Sequence, residues 1–493
     1  MNHTGSLIPA ISLAAGIAVS AVAELSWWWG ATLIAAALTG YLAIMRMSKD
    51  PIATLRLAQW HTAWVAVLFA GIGMLDQNLN RPLTLTGIYG ETIPSRLTGE
   101  ITGIQTKSYG DRLEVRIAGT NGAKIQIRTG ASDLAAGDII TFPTDRMLEV
   151  ANDTSAIVAR IAPMLEARGI LYTAFIPTKQ ISSTGHATSL QNYCGEIRDK
   201  IEIKIEKSHL QRPTANFLKA ILMGDKTGLD EATRLTFAQG GTAHILALSG
   251  LHMGILAGMV LWLMWPAKAL GKYKWGYALA LAILWLYVAI TGMSNSSVRA
   301  CIMISFAYMA IITERKKSIV HFLCCACMLI LIFNPQALFD IGFQLSVVCV
   351  ASLIAFASQF NPISHRNHPI LYRICEAILA TIVASAASMP FTSYYFSQIP
   401  LMFLPSNLLM LPVIPAFLCG GVIFTLLLCA GWEFRLLGHL LDAGYDLMLK
   451  ATDFLSSGAD YVVSYQISLL ALAIYVCLLG AAAWIFNRNI IKS

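Results

Sequence analysis

The run GGTAHILALSGLHMGILAGMVLWL, Gly240 to Leu263, places two histidines and a serine inside an otherwise apolar stretch. Ser249 and His252 are three residues apart, and His244 lies about two turns before His252, so on one helix all three could share a face. Two kinds of chemistry fit this pattern. A hydroxyl beside an imidazole can serve as nucleophile and base in acyl transfer. Alternatively, polar groups at membrane depth can line a path, because they are costly there unless they face a cavity or another helix. A histidine satisfied at a helix interface is the plain structural alternative. Gly250 and Gly254 would let a neighbouring helix approach closely.

A second polar group, TGMSNSSVRA from Thr291 to Ala300, closes one apolar segment and opens the next. Arg299 carries a planar fork of donors that matches phosphate oxygens, although a long side chain near a helix end can equally reach out to the interface. In NPQALFDIGFQLS, Asn334 to Ser346, Asp340 and Gln344 flank a loop and a helix start. Asp340 there can cap the helix or pair with Arg299.

These groups belong to a chain of 493 residues, 56% hydrophobic and 13% charged, against about 25% charged in ordinary soluble domains. Several apolar stretches match the roughly 20 residues needed to cross a bilayer. The composition excludes a soluble enzyme and predicts a polytopic α-helical membrane protein of about 10 to 12 membrane segments, with an inserted small extracytoplasmic β-barrel. The formal charge of +7 is unevenly placed, since Asp76 to Gly240 holds 19 Lys and Arg against 18 Asp and Glu. Most of the excess lies in short loops of the apolar part, so it is mainly a topology signal of the positive-inside rule.

Spans are expected near residues 7–23, 26–45 and 59–75, then 243–264, 275–292, 297–313, 319–333, 342–358, 376–396 and 465–486. Loops carrying Arg46, Lys49 and Arg56, then Lys268, Lys272 and Lys274, then Arg315, Lys316 and Lys317, then Arg366 and Arg373, alternate with loops poor in cations. That parity puts both termini in the cytoplasm and the polar stretch outside. The first run has no preceding basic residues and no cleavage site, so it reads as a retained span. Residues 401–432, broken by Pro405, Pro412, Pro415, Gly420 and Gly421, read as a re-entrant or kinked pair that returns to the side it left. The domains are thus 1–75 (membrane helices), 76–190 (β domain), 191–240 (amphipathic helices), 241–432 (membrane bundle), 433–464 (outer-surface amphipathic helix) and 465–493 (last span and basic tail).

Within 76–190, alternating segments and the Asn121-Gly122 turn predict a hairpin. Five strands would close as an OB-like barrel. Of the ten cysteines, nine lie in or beside apolar helices without zinc spacing, and read as packing residues. No metal site is expected, and Trp27 to Trp29 reads as an interfacial aromatic belt.

The three motifs MGDKTGLDEATRLTFAQGGTAHILALSGLHMG, TGMSNSSVRA and NPQALFDIGFQLS, in this order, closely resemble the competence domain of the ComEC family of DNA-uptake channels. The resemblance covers roughly Ala215 to Trp432, and the preceding spans and β domain resemble that family's N-terminal half. It implies an inner-membrane protein that admits one strand of transforming DNA to the cytoplasm. His244, Ser249, His252, Asn295, Ser296, Arg299, Asp340 and Gln344 are then candidates for the DNA path, with Asp225 and Lys226 at its outer mouth. Arg112, Arg116, Lys124 and Arg128 are weaker candidates for DNA contact on the β domain. The resemblance also implies a ComEA-like receptor outside and a ComFA-like ATPase inside, since no GxxxxGK[ST] motif is present. The metallo-β-lactamase-like domain of many members has no HxHxDH counterpart here, and His365 and His368 have no acidic neighbour. The expectation is a non-enzyme without cofactor, with strand degradation left to a separate nuclease. A small-molecule transporter would explain the broken segment but not the β domain. An intramembrane hydrolase using Ser249 and a histidine lacks the GxSG of rhomboid-like proteases.

Overall fold

Prolines, glycines and polar turns punctuate the apolar stretches, and helices fill the intervals. The computed structural model describes residues 4–23, 25–47, 51–81, 84–89, 93–107, 110–120, 122–130, 134–150, 162, 165–166, 168–186, 190–246, 248–266, 271, 273–314, 319–357, 369–400, 402–456, 462–463 and 465–490. Helices α1 (Thr4–Val22), α2 (Trp27–Met47), α3 (Pro51–Leu79) and α4 (Leu85–Tyr89) come first. Strands β1 (Arg96–Lys107), β2 (Gly110–Ile117), β3 (Lys124–Thr129), β4 (Asp138–Pro143), β5 (Met147–Glu149), β6 (Ile170–Phe175) and β7 (Ser182–His186) follow. Next are α5 (Leu190–Glu206), α6 (Arg212–Met223), α7 (Glu231–Gln239), α8 (Gly250–Leu263), α9 (Tyr273–Ile290), α10 (Asn295–Ile312), α11 (Ile319–Phe333) and α12 (Ile341–Ser352). The chain ends with α13 (Pro369–Phe396), α14 (Phe403–Cys429), α15 (Arg435–Ser456) and α16 (Leu469–Ile490); the two-residue strands β8 (Ile399–Pro400) and β9 (Val462–Val463) pair.

Among the described residues, four helices are long and apolar enough to cross a membrane: Tyr273–Ile290, Asn295–Ile312, Leu371–Phe396 and Phe403–Cys429. Shorter apolar helices include Ser6–Val22, Gly250–Leu263 and Ile319–Phe333. The predicted turn at Glu24, the loop histidines His365 and His368, and most of the predicted loop cations lie outside the described residues.

The chain divides into two compact units, Met1–Ala187 with Lys316–Gln344, and Thr188–Arg315 with Leu345–Ser493. In the first, α1 and α3 touch backbone to backbone. A Cβ on Gly16 would collide with Ala70 O, and one on Gly73 would collide with Leu13 O, so only glycine permits this approach. Asn78 Nδ2 donates to Ser20 Oγ at 2.9 Å across the same contact.

The sheet of this unit has seven strands in the order β5-β6-β3-β2-β1-β4-β7. The predicted β2–β3 hairpin forms, with Arg116 opposite Lys124 and Arg112 opposite Arg128. Asn121 is outside the described residues, but Gly119 and Gly122 adopt φ of +77° and +83°, which glycine tolerates. The five-stranded OB-like barrel does not close. The parallel β3–β6 pair and the antiparallel β1–β4 pair are in place, yet β6 takes β5 and β4 takes β7 on the edges that closure would need. Leu113, Val115, Ile125, Ile127, Ile140 and Phe142 are fully buried beneath the open sheet, each contributing about 1.5–3 kcal/mol by burial.

The second unit is built around α6, where Thr214, Ala215 and every residue from Phe217 to Met223 are buried. Proline near its start and Gly224 in the left-handed C-cap (φ +77°) bound this helix. Phe217 packs against Phe237, Phe417 and Tyr445, so α7, α14 and α15 enclose α6. Part of the stretch expected to hold amphipathic helices is therefore the core of its unit. A second cluster, Met253, Ala257, Leu284, Val288 and Cys301, joins α8, α9 and α10.

Residues 402–432 do not form the expected re-entrant pair of segments. Helix α14 runs unbroken from Phe403 to Cys429 with Pro412 and Pro415 inside it. It lies alongside α15, with Phe417 against Gly444 and Leu441 against Gly420. One face of α15 is consequently buried through Leu441, Asp442, Tyr445, Met448 and Thr452, while Leu436, Leu440, Leu447 and Phe454 remain exposed. The start of α14 meets the end of α7, and its end meets α5. A Cβ on Gly240 would stand 3.6 Å from Ser406 Oγ, and Lys204 Nζ donates to Cys429 O at 3.1 Å.

Candidate functional site

Helix α8 begins later than hydropathy alone predicts. Residues Ala243–Leu246 form a separate 3-10 turn, and Ser249 is the N-cap of α8 in extended backbone. His244, Ser249 and His252 therefore do not share one helical face. His244 is exposed on the 3-10 turn, whereas His252 is only 3% exposed in the first turn of α8. Ser249 Oγ and His252 Nδ1 are 2.7 Å apart, so the three-residue spacing does produce a bonded pair.

The end of α9 and the start of α10 meet at the same end of the apolar cluster. Gly292 (φ +80°) and Met293 (φ +51°) both turn through the left-handed region; at Met293 this is strained backbone of a kind that concentrates at functional turns. Ser294 caps α10, accepting from Ser297 N at 3.3 Å, and its hydroxyl meets that of Ser297 at 2.6 Å. Asn295 is exposed and Ser296 half-buried, while Thr291, Ser297 and Arg299 are 5% exposed or less. A Cβ on Gly250 would meet Ala300 Cβ at 3.9 Å, which sets the start of α8 beside the first turns of α10. His252, Thr291, Ser297 and Arg299 thus form a recessed polar row at one end of three apolar helices.

Helix α5 covers the adjoining loop. Arg198 Nη1 would lie 3.7 Å from a Cβ on Gly292, and Arg198 Nε bonds Glu202 Oε1 at 2.7 Å. Burial pushes the carboxyls of Asp199 and Glu202 up; Arg198 opposes this and the charge of Asp225 adds to it. The MGDKTG turn therefore lies close to α5. Its Asp225 Oδ1 accepts from Thr227 N at 2.9 Å and Thr227 Oγ1 at 2.7 Å, and Arg234 donates to the carbonyl of Lys226. Asp225 thus serves its own turn.

Asp340 and Gln344 fall in the first unit. Asp340 Oδ1 accepts from Gly342 N at 3.3 Å, the helix-start role open to it from sequence, and Gln344 Nε2 donates to Leu338 O at 3.0 Å. The site also contains residues that the motifs did not single out, namely Thr291, Ser297, Arg198 and Tyr287, whose hydroxyl donates to Leu222 O. Ser297 and Thr291 stand inside TGMSNSSVRA and were within reach; Arg198 comes from a distant charged helix with no local signal.

On the sheet of the first unit, β2 and β3 align Arg112 with Arg128 and Arg116 with Lys124. Like charges directly opposed across strands are unfavourable. The Lys124 ammonium is held below its usual range chiefly by burial, with Arg116 and Arg168 adding and Glu114 opposing. Phe175, opposite Arg128 on the parallel neighbour, is 63% exposed. Arg112, Arg116, Lys124 and Arg128 thus cluster on one face beside the exposed Phe175, with Glu114 between the two arginines of β2 and Glu100 opposite Arg116 on β1.

Long apolar helices, four of them able to cross a membrane among the described residues, define an integral membrane protein. The pattern of the family described as "Competence protein" matches residues 221–489. The chain belongs to this competence protein family. It is 29% identical over 291 residues to "ComE operon protein 3" of Bacillus subtilis, covering 57% of this chain and 36% of that protein. It is 26% identical over 162 residues to "Recombination protein 2" of Haemophilus influenzae, 31% of this chain and 20% of that protein. An uncharacterized Escherichia coli protein, YcaI, is 25% identical over 205 residues, 39% of this chain and 26% of that protein. The chain thus matches about a third or less of the length of these relatives. No solved structure matches it.

Proposed function

We propose that this protein conducts transforming DNA as a single strand across the bacterial inner membrane, with the β unit outside and both termini in the cytoplasm. Family membership supports a role in competence, and the observation that carries the path is the recessed row of His252, Thr291, Ser297 and Arg299, polar groups that an apolar bundle would otherwise exclude. The basic face of β2 and β3 gathers the strand by phosphate contact and stacking. A ComEA-like receptor delivers DNA, a ComFA-like ATPase pulls it, and a separate nuclease removes the other strand. The protein itself is not an enzyme in this reading.

The bonded Ser249–His252 pair favours a second reading, an intramembrane hydrolase. Against it, the imidazole meets the serine through Nδ1, and among the described residues no carboxylate bonds Nε2 to orient it, the reverse of a working triad.

The test is entry of labelled duplex DNA into cells lacking the gene and complemented with wild type, Arg299→Ala or Arg299→Lys. Expected is DNA held outside and lost transformation in the deletion and in Arg299→Ala at normal protein levels. Normal transformation by the deletion strain would overturn the proposal.

A further inference from the structure

His252 is 3% exposed, and its Nε2 is buried without a hydrogen-bonding partner among the described residues. Ser249, the N-cap of α8, has φ −125° and ψ 170° suited to capping, but its hydroxyl makes no cap bond. It meets His252 Nδ1 at 2.7 Å instead. The first intrahelical bond runs from Met253 N to Ser249 O at 3.2 Å. The amides of Gly250, Leu251 and His252 are therefore the orphan donors that every helix start presents, and the usual acceptor has been turned away from them. Side chains on a helix lean toward its N-terminus, and the tie to Ser249 holds the ring over this first turn.

Either partner of the Ser249–His252 bond can donate; we assign the hydroxyl as donor to Nδ1, which places the proton of the neutral ring on Nε2. The orphan amides and the Nε2–H are then donors together, and the helix dipole adds positive potential there. On the Gly250–Gly254 face the turn has room, since a Cβ on Gly250 would touch only Ala300 and one on Gly254 would find nothing within 4 Å. Arg299, buried on the adjoining α10, immediately precedes Ala300.

We propose that the first turn of α8 binds the anionic oxygens of a phosphodiester, with the amides of Gly250 and Leu251 and the Nε2–H of His252 as donors. Ser249 is a positioning residue that fixes the tautomer and does not touch the ligand. Resting on the DNA-uptake reading, this assigns the site to the strand's backbone; a phosphodiester has one charge whatever base it carries, so the site passes any sequence. A lipid headgroup offers the same chemistry, and the experiment separates the two.

Full-length protein with 15N-labelled histidine, in a phosphate-free maltoside detergent, is titrated with dimethyl phosphate, with phosphatidylglycerol, and with oligothymidylate having phosphodiester or uncharged methylphosphonate linkages. Expected is a shift of the His252 Nε2 resonance with dimethyl phosphate and phosphodiester DNA but not with methylphosphonate DNA. Ser249→Ala should mix the tautomers and weaken phosphodiester binding at least fivefold, and Ser249→Thr, which keeps the hydroxyl and controls for folding, should restore both. If no phosphodiester moves the His252 signal, the proposal is overturned. If DNA binds wild type and His252→Leu equally, with the same salt dependence, the site is wrong while DNA uptake stands. If dimethyl phosphate and phosphatidylglycerol shift the signal but DNA does not, the anion site holds and the DNA-uptake reading falls.

Discussion

At the scale of single residues, the carboxyls of α5 carry a testable electrostatic cost. Asp199 and Glu202 are pushed up mainly by burial, with Asp225 adding to both. A raised acid binds its proton more tightly folded than unfolded, so stability increases as pH falls from neutral toward the carboxylate range. Glu202→Gln removes that dependence, although it also weakens the 2.7 Å bond to Arg198. Thermal unfolding of wild type should therefore shift upward between pH 7 and pH 5 and that of Glu202→Gln should shift less; equal shifts would remove Glu202 as the cause. Residue spacing made the Ser249–His252 pair legible in advance. Its setting was not, because Ala243–Leu246 and α8 are both apolar, and hydropathy does not register the break at which Ser249 becomes a cap. Arg198 was illegible for another reason, since nothing local ties a charged helix to Gly292.

Among elements, β2 and β3 set stability against binding. Aligned pairs Arg112–Arg128 and Arg116–Lys124 repel each other, so Arg128→Gln should stabilise the sheet by about 0.2–1 kcal/mol. The same substitution should weaken single-stranded DNA binding and lower its salt slope by about 0.7, the increment that one neutralised phosphate contributes on a single strand. Opposite signs in thermal unfolding and in affinity are the diagnostic; an Arg128→Gln protein with unchanged affinity would remove this face from the DNA route. Alternation and turn residues revealed the hairpin. They did not reveal that β5 and β7 would occupy the edges on which a barrel closes, because edge choice depends on pairings distant in sequence. Similarly, the prolines of α14 signalled a break that tertiary packing overrides, with Leu441 and Phe417 fitting the helix against α15.

For the whole molecule, α14 has the composition and length of a crossing helix, with Ser406 near its start beside Gly240 at the end of α7 and Cys429 at its end bonded to Lys204 of α5. Accessibility reporters at Met402 and at Trp432 are expected to label from opposite sides of the membrane, because 27 helical residues extend about 40 Å. Labelling from one side only would show that α14 lies along the membrane instead of crossing it. The apolar stretches and the charge alternation of the loops foretold a membrane protein, but only contacts among distant helices expose this arrangement. Helix α6 has a further consequence for biogenesis. Its apolar surface is enclosed by α14 and α15, and Phe217 waits for Phe417, roughly 200 residues later in synthesis. At about 5–20 residues per second that is a delay on the order of 10–40 s. During it the nascent helix needs a temporary cover, which makes the translocation machinery or the bilayer surface an obligatory companion of the half-made chain.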